Sequence, residues 1–389
     1  MTPIYAFAFL VMVFALGDII AEKTKAMVST VLVVIVVLLI SFWLGLPAEI
    51  IEISQISGIG MVLISVLIVG IGSNIDIRQL VSQWKTCIIA LSGALAGVAV
   101  IMFIGQFIIG RHMAFVAGPV FSGTQVAILI LIDALTINEM THLIPFILLV
   151  FVTDNLLGIP VASFVLKKEA KIFIKNKEAV KEYAQKTSED PKGTKRLIKM
   201  PESMRKPSGI FTRIVVIASL SFWLSGLTGG RIHFFVMCLI MGVIFTELGF
   251  LEKQSLIKTQ SYGFVVFVTT VVIFGTLSDT TPQMFFSLLL PLLITLGLGF
   301  IGVLVASFFI SKGLKVSPWM GIAMGVACSF GMPTTFLIPK EVAQAIGTTD
   351  EEKAAIENYM TPNMVTAGFV SVTIASVFIA QVAVLLLFN

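Results

Sequence analysis

"AGPVFSGTQVAILILIDAL", Ala117 to Leu135, decides how this chain is read. The stretch is nearly as apolar as a membrane-spanning helix, yet it holds a proline, a Ser-Gly-Thr-Gln run and a late aspartate. If it crosses a bilayer, everything after it changes side. If it dips in and returns, nothing does.

Composition supplies the bilayer. Of 389 residues 57% are hydrophobic and 12% charged, and the mean hydropathy is +1.02, well outside the range of soluble domains. The repeated apolar blocks are long enough to cross about 30 Å of hydrocarbon as helix, and helices satisfy their own backbone there. The alternating pattern of an outer-membrane barrel is absent. The fold expected is an all-α polytopic membrane protein. Its first block, Ile4 to Ile20, lacks a preceding basic residue and a cleavage site, so it reads as a retained span. Cys87, Cys238 and Cys328 lie inside apolar blocks and read as small buried hydrophobes.

Charge is unevenly placed. Residues 167–208 carry 13 Lys and Arg against 6 Asp and Glu, a balance of +7, while the rest of the chain balances at −3. A cytoplasmic connector explains this better than nucleic-acid binding, because basic loops stay inside. The connector separates a first membrane repeat, 1–166, from a second, 209–389.

The two repeats share a plan. "LGLP" at Leu44 aligns with "LGFL" at Leu248, and "VGIGSNIDIRQ" at Val69 aligns with "FGTLSDTTPQM" at Phe274. Further on, Gly123, Leu129, Ile130 and Asp133 meet Gly331, Leu337, Ile338 and Glu341, and "VTDNLLG" at Val152 meets "MTPNMVT" at Met360. A Thr-x-x-Glu capping box is expected at Thr136 and again at Thr349. Each repeat has six apolar elements: about 4–20, 27–47, 57–74, 87–109, 114–135 and 141–166, then about 210–226, 231–250, 262–278, 284–310, 319–342 and 355–388.

Topology follows from the basic loops. With Lys23 and Lys25 inside, Glu49 and Glu52 fall outside, Arg78 and Lys85 inside, and the fifth element starts outside near Arg111. A full crossing by that element would send the +7 connector outside, against the positive-inside rule. Re-entry keeps it cytoplasmic, places Lys253, Lys258, Lys312 and Lys315 inside, and leaves Arg111 and Arg231 outside. The expectation is five spans plus one re-entrant hairpin per repeat, the repeats inverted, both termini extracytoplasmic. The rival is a broken helix that crosses.

Irregular backbone at membrane depth needs cover from protein or a water-filled cavity, so paired interruptions point to a binding site. Gly123, Gly331 and Pro333 permit the reversals, and Ser122, Thr124, Gln125, Thr334 and Thr335 offer neutral hydrogen-bonding groups to a solute. Helix ends meeting there suit an anion at one pole and a sodium ion at the other. Asp154 lies near the centre of the sixth element, where an ionisable group by default marks an ion or transport pathway. Asn155, Thr153, Asn363 and Thr361 are its expected partners around Na⁺, with H⁺ as an alternative coupling ion. No nucleotide loop, metal spacing or nucleophile–base pair occurs, so neither an enzyme nor an ATP-driven pump is expected.

This arrangement resembles the bacterial sodium/glutamate symporters and the related sodium/citrate symporters along the whole chain. "FSGT" at Phe121 is similar to their hairpin tips, whereas "SFGMPTT" at Ser329 departs at Met332 and Pro333. The resemblance implies a homodimeric, sodium-coupled, elevator-type carrier of the bacterial inner membrane, with Ser122, Gly123, Thr124, Gly331 and Thr334 at the tips. No Arg or Lys is expected deep in a core element, which argues for a substrate with one carboxylate, such as an amino acid or monocarboxylate. The alternatives are a sodium/proton antiporter using Asp154 and a non-transporting membrane scaffold.

Overall fold

A computed structural model describes residues 1–23, 30–75, 77–123, 125–185, 201–228, 232–331 and 334–388. Thr124, Pro333, Met332, Lys25, Arg231 and connector residues 186–200 lie outside the described residues. All regular structure among the described residues is helical, as a chain that must satisfy its backbone in lipid requires.

The first half runs α1 (Pro3–Lys23), α2 (Thr30–Trp43), a short α3 (Ile50–Ile53), α4 (Ile56–Gly72), α5 (Ile77–Ser82) and α6 (Trp84–Ile109). It continues through α7 (Arg111–Phe121), α8 (Gln125–Ile137), α9 (Ile144–Phe173) and α10 (Lys177–Gln185). The second half runs α11 (Pro207–Leu227), α12 (Phe234–Glu247), a short α13 (Ser255–Lys258), α14 (Tyr262–Gly275) and α15 (Pro282–Gly313). It ends with α16 (Pro318–Val326), α17 (Thr334–Ile346) and α18 (Asp350–Phe388). Proline opens α1, α11, α15 and α16, where its missing N–H costs nothing. Among the described residues six helices are long and apolar enough to cross a membrane. This is a multi-pass, all-α membrane protein.

The chain folds into two compact units that each draw on both halves: Met1–Asp76 with Gly193–Phe285, and Ile77–Lys192 with Phe286–Asn389. In the first unit α4 packs on α12 and α14. Gly72 and Gly242 make the α4–α12 approach possible, since a Cβ on either would sit 2.7 Å from the Leu239 carbonyl or 2.6 Å from that of Val69. A local shape recurs in this unit at a separation of 205 residues. Gln55 and Gln260 both adopt left-handed backbone, at φ 63° and 60°. Each follows a four-residue helix and a hydroxyl residue that bonds back to its own helix: Ser54 Oγ to Ile51 O (2.7 Å) and Thr259 Oγ1 to Leu256 O (2.6 Å).

Arg213 in α11 corrects the expectation that the core elements hold no deep arginine. It is 1% exposed and donates to Phe250 O (2.5 Å) and Met204 O (2.8 Å), with Glu252 at 3.9 Å. Its fork is committed to tying loop carbonyls to α11, so it has no donor pair aimed at a solute.

The capping boxes divide. Thr349 accepts from the Glu352 N–H (3.1 Å) and starts α18 as expected. Thr136 instead stays inside α8 and donates back to Ile132 O (2.7 Å). The chain then turns with Glu139 in left-handed backbone, at φ 57°, and the next long helix begins at Ile144.

Candidate functional site

The second unit contains both interrupted elements, and contacts along them fix their course. In α7, Arg111 donates to Leu386 O (2.9 Å) near the end of α18. One turn on, Ala114 and Phe115 pack with Val98, Met102 and Ala383. The ring of Phe121 then wedges between α6 and α15: a Cβ on Gly97 would lie 2.9 Å from it, and one on Gly299 2.6 Å. After the turn at Ser122 and Gly123, α8 packs on the same terminal stretch of α18 that α7 touches. The chain has reversed. Ser122 is fully buried with Oγ on Pro119 O (3.3 Å), and a Cβ on Gly123 would strike that carbonyl at 2.5 Å. Gln125 opens α8.

The second interruption reverses too. Ser317, just before α16, donates to Glu169 on α9, and so does Tyr359 on α18 (3.0 Å). Lys340, midway along α17, pairs with Glu357 (3.3 Å), and a Cβ on Gly347 just past α17 would lie 2.7 Å from Lys353 Cγ, so both ends of the α16–α17 pair lie toward the start of α18. Its tip lies elsewhere. A 3-10 turn, Ala327–Ser329, and an extended Phe330 end α16. A Cβ on Gly158 of α9 would meet Ser329 Cβ at 2.6 Å, and one on Gly368 of α18 would meet Thr335 Cγ2 at 2.5 Å. The tip therefore sits against the middle of α9 and of α18, where α18 loosens into a π-helical turn, Phe369–Ala375.

Asp154 is at that tip. It lies one turn before Gly158 on the same face of α9, is 2% exposed, and its Oδ1 has no hydrogen-bond partner. Ser329 is the polar side chain it senses most directly, and Cys328 lies within its electrostatic reach. Ser329 Oγ also lacks a hydrogen-bond partner, so neither oxygen is satisfied by the other in good hydrogen-bond geometry. Thr335 Oγ1 and Thr361 Oγ1 are likewise buried and unpartnered. Orphaned buried oxygens are unusual because each costs about 1–3 kcal/mol. The C-terminal carbonyl end of α16 points at the same place, which favours positive charge.

The remaining expected ligands are placed differently. Asn155 and Thr153 are half-buried, and the Asn155 amide donates to Phe151 O (2.8 Å) on its own helix. The Asn363 amide accepts from Thr86 (2.8 Å) and donates to Tyr359 O (2.8 Å). Gly331 and Thr334 are half-buried at the tip. Sequence reasoning passed over Ser329, although it begins the quoted "SFGMPTT", and over Gly158, four residues after Asp154. That i, i+4 spacing was the available signal. Among the described residues no cluster of three His, Cys, Asp or Glu side chains forms a metal centre. No protein-family model matches this chain, and no curated protein matches it.

Proposed function

We propose that the protein is a sodium-coupled secondary transporter of a small organic anion or amino acid, working by an elevator-type mechanism. One observation carries this reading: the buried Asp154 carboxylate, its Oδ1 without a partner, faces the unpartnered Ser329 hydroxyl at a hairpin tip. A desolvated Na⁺ takes hard oxygen ligands, and Asp154, Ser329 and Thr335 supply them. The hydroxyls and N–H groups opening α8 and α17, at Gln125, Thr334 and Thr335, suit a single carboxylate. A dicarboxylate would call for a free arginine fork, and Arg213 is occupied with Phe250 and Met204.

Both hairpins and Asp154 belong to one compact unit, as an elevator needs if its site is to move whole. The shared local geometry at Gln55 and Gln260 supports an internal duplication, in which the halves are inverted. Lys85, Lys168, Lys312 and Lys340 each lie over an aromatic ring, which suits a cytoplasmic membrane interface. In this reading the connector is cytoplasmic, both termini lie outside, and the carrier is a homodimer of the bacterial inner membrane.

A sodium/proton antiporter is the second reading, favoured by the same solitary carboxylate. Uptake of labelled amino acids and monocarboxylates into proteoliposomes, with and without an inward sodium gradient, separates the two. Sodium-driven solute uptake, lost in Asp154→Asn without loss of folding, is the expected result. Proton movement without solute would favour the antiporter, and the absence of both fluxes would refute transport. Unchanged sodium stimulation in Asp154→Asn would remove Asp154 from the ion site.

A further inference from the structure

Resting on the ion-site reading above, we propose that Glu169 is a positioning residue which, with Tyr359, pins the base of the second hairpin and sets the register of Ser329 against Asp154. Glu169 follows Lys167 and Lys168 in a lysine-rich stretch, yet it is 3% exposed. Its carboxylate accepts from Ser317, at the foot of α16, and from Tyr359 Oη at 3.0 Å. The neighbouring Lys168 lies over the rings of Phe164 (4.6 Å) and Trp319 (4.5 Å), adding a second tie to the foot of α16.

Tyr359 is itself braced. Its ring stacks on Phe173 at 4.6 Å and 4°, and meets Tyr183 edge-on at 5.3 Å. Asn358 donates to Tyr183 O (3.0 Å), so α10, the start of the connector, holds the tyrosine in place. From Ser317 to Ser329 is twelve residues, about 18 Å at helical rise. From Glu169 back to Asp154 is fifteen, about 22 Å. Two rods fastened at one end keep their register at the other. A carboxylate with two hydroxyl donors fixes that register by direction, where an apolar contact would let α16 slide.

The native Cys328, fully buried and one residue before Ser329, provides the test. With Cys87 and Cys238 replaced by serine, the rate at which a membrane-permeant thiol reagent labels Cys328 reports how often the tip lifts. Tyr359→Phe keeps the ring stack and Ser317→Ala keeps the small volume, so each removes one bond to Glu169. Each is expected to speed labelling about tenfold, or ~1.4 kcal/mol. Each should also raise the sodium concentration for half-maximal uptake while the maximal rate is retained. Unchanged labelling in both variants overturns the proposal. So does an equal rise at Cys238 in a protein that keeps only that cysteine, because the effect is then general loosening. If sodium does not slow Cys328 labelling in the parent while the variants still speed it, the ion site falls and the pinning of the tip stands.

Discussion

Gly158→Ala tests the approach of the second hairpin to α9 most directly. The added methyl would lie 2.6 Å from Ser329 Cβ and 3.1 Å from Phe330 Cδ1. Ordinary contact begins near 3.4 Å, so Ser329 must retreat by about 0.8 Å. Ser329 is short, buried and fixed in a 3-10 turn, so its backbone has to move with it. Overpacking of this kind costs about 1–3 kcal/mol, partly offset by the ~0.5–1 kcal/mol that alanine gains over glycine inside a helix. Gly297→Ala in α15 is the matched control, because nothing lies within 4 Å of its added methyl. The helix-propensity gain is common to both variants, so their difference isolates the overpacking: about 1–3 kcal/mol in favour of Gly297→Ala. Thermal unfolding of the purified protein in detergent, followed by intrinsic fluorescence, measures it. A Gly158→Ala midpoint equal to or above that of Gly297→Ala would refute the close contact, and with it the placement of Ser329 beside Asp154.

Arg213→Lys should lower stability by about 2 kcal/mol or more, because one ammonium cannot span the Phe250 and Met204 carbonyls; an unchanged melting curve would show that the guanidinium fork does not hold that corner. Thr335→Val removes a buried hydroxyl without a partner, so melting should stay level or rise, by up to ~1–3 kcal/mol, while sodium stimulation of uptake weakens. A clear drop in the unfolding midpoint would contradict this account of Thr335. Gln55→Gly and Gln260→Gly each relieve a left-handed side-chain residue and should stabilise by about 1 kcal/mol. Shifts of opposite sign in the two variants would count against their shared geometry.

Much of the fold was legible because membrane helices announce themselves by length and apolarity. The apolar blocks fall on α1, α2, α4, α6, α9, α11, α12, α14, α15 and α18, and the two interrupted blocks on α7–α8 and α16–α17. Asp154 stood out because a carboxylate inside an apolar block has no local explanation. Its partners did not, because a hydrophobic stretch says little about which face meets which neighbour. Asn155 and Asn363 suggested ligands by their repeat-related positions, but their amides are satisfied on their own helices or by Thr86. Glu169 was counted with the charges of the connector, since nothing nearby in sequence hints at Ser317 or Tyr359. Nothing near Arg213 in the sequence hints at Phe250, and only the fold brings the two together. The division into compact units was also hidden, because each unit is assembled from segments of both halves.

That interleaving has a consequence for synthesis. Glu169 emerges 148 residues before Ser317 and 190 before Tyr359. At translation rates of about 5–20 residues per second, α9 waits roughly 10–40 s for its last partner. Throughout that interval Asp154 lacks the hairpin tip that packs beside it, and Glu169 lacks both hydroxyls that bond it. An isolated charge is costly at the centre of a bilayer, so the insertion machinery or trapped water has to shelter α9 until α16 and α18 arrive. Premature termination anywhere before residue 317 should therefore leave a helix that quality-control proteases recognise, even though every span of the first half has already been made.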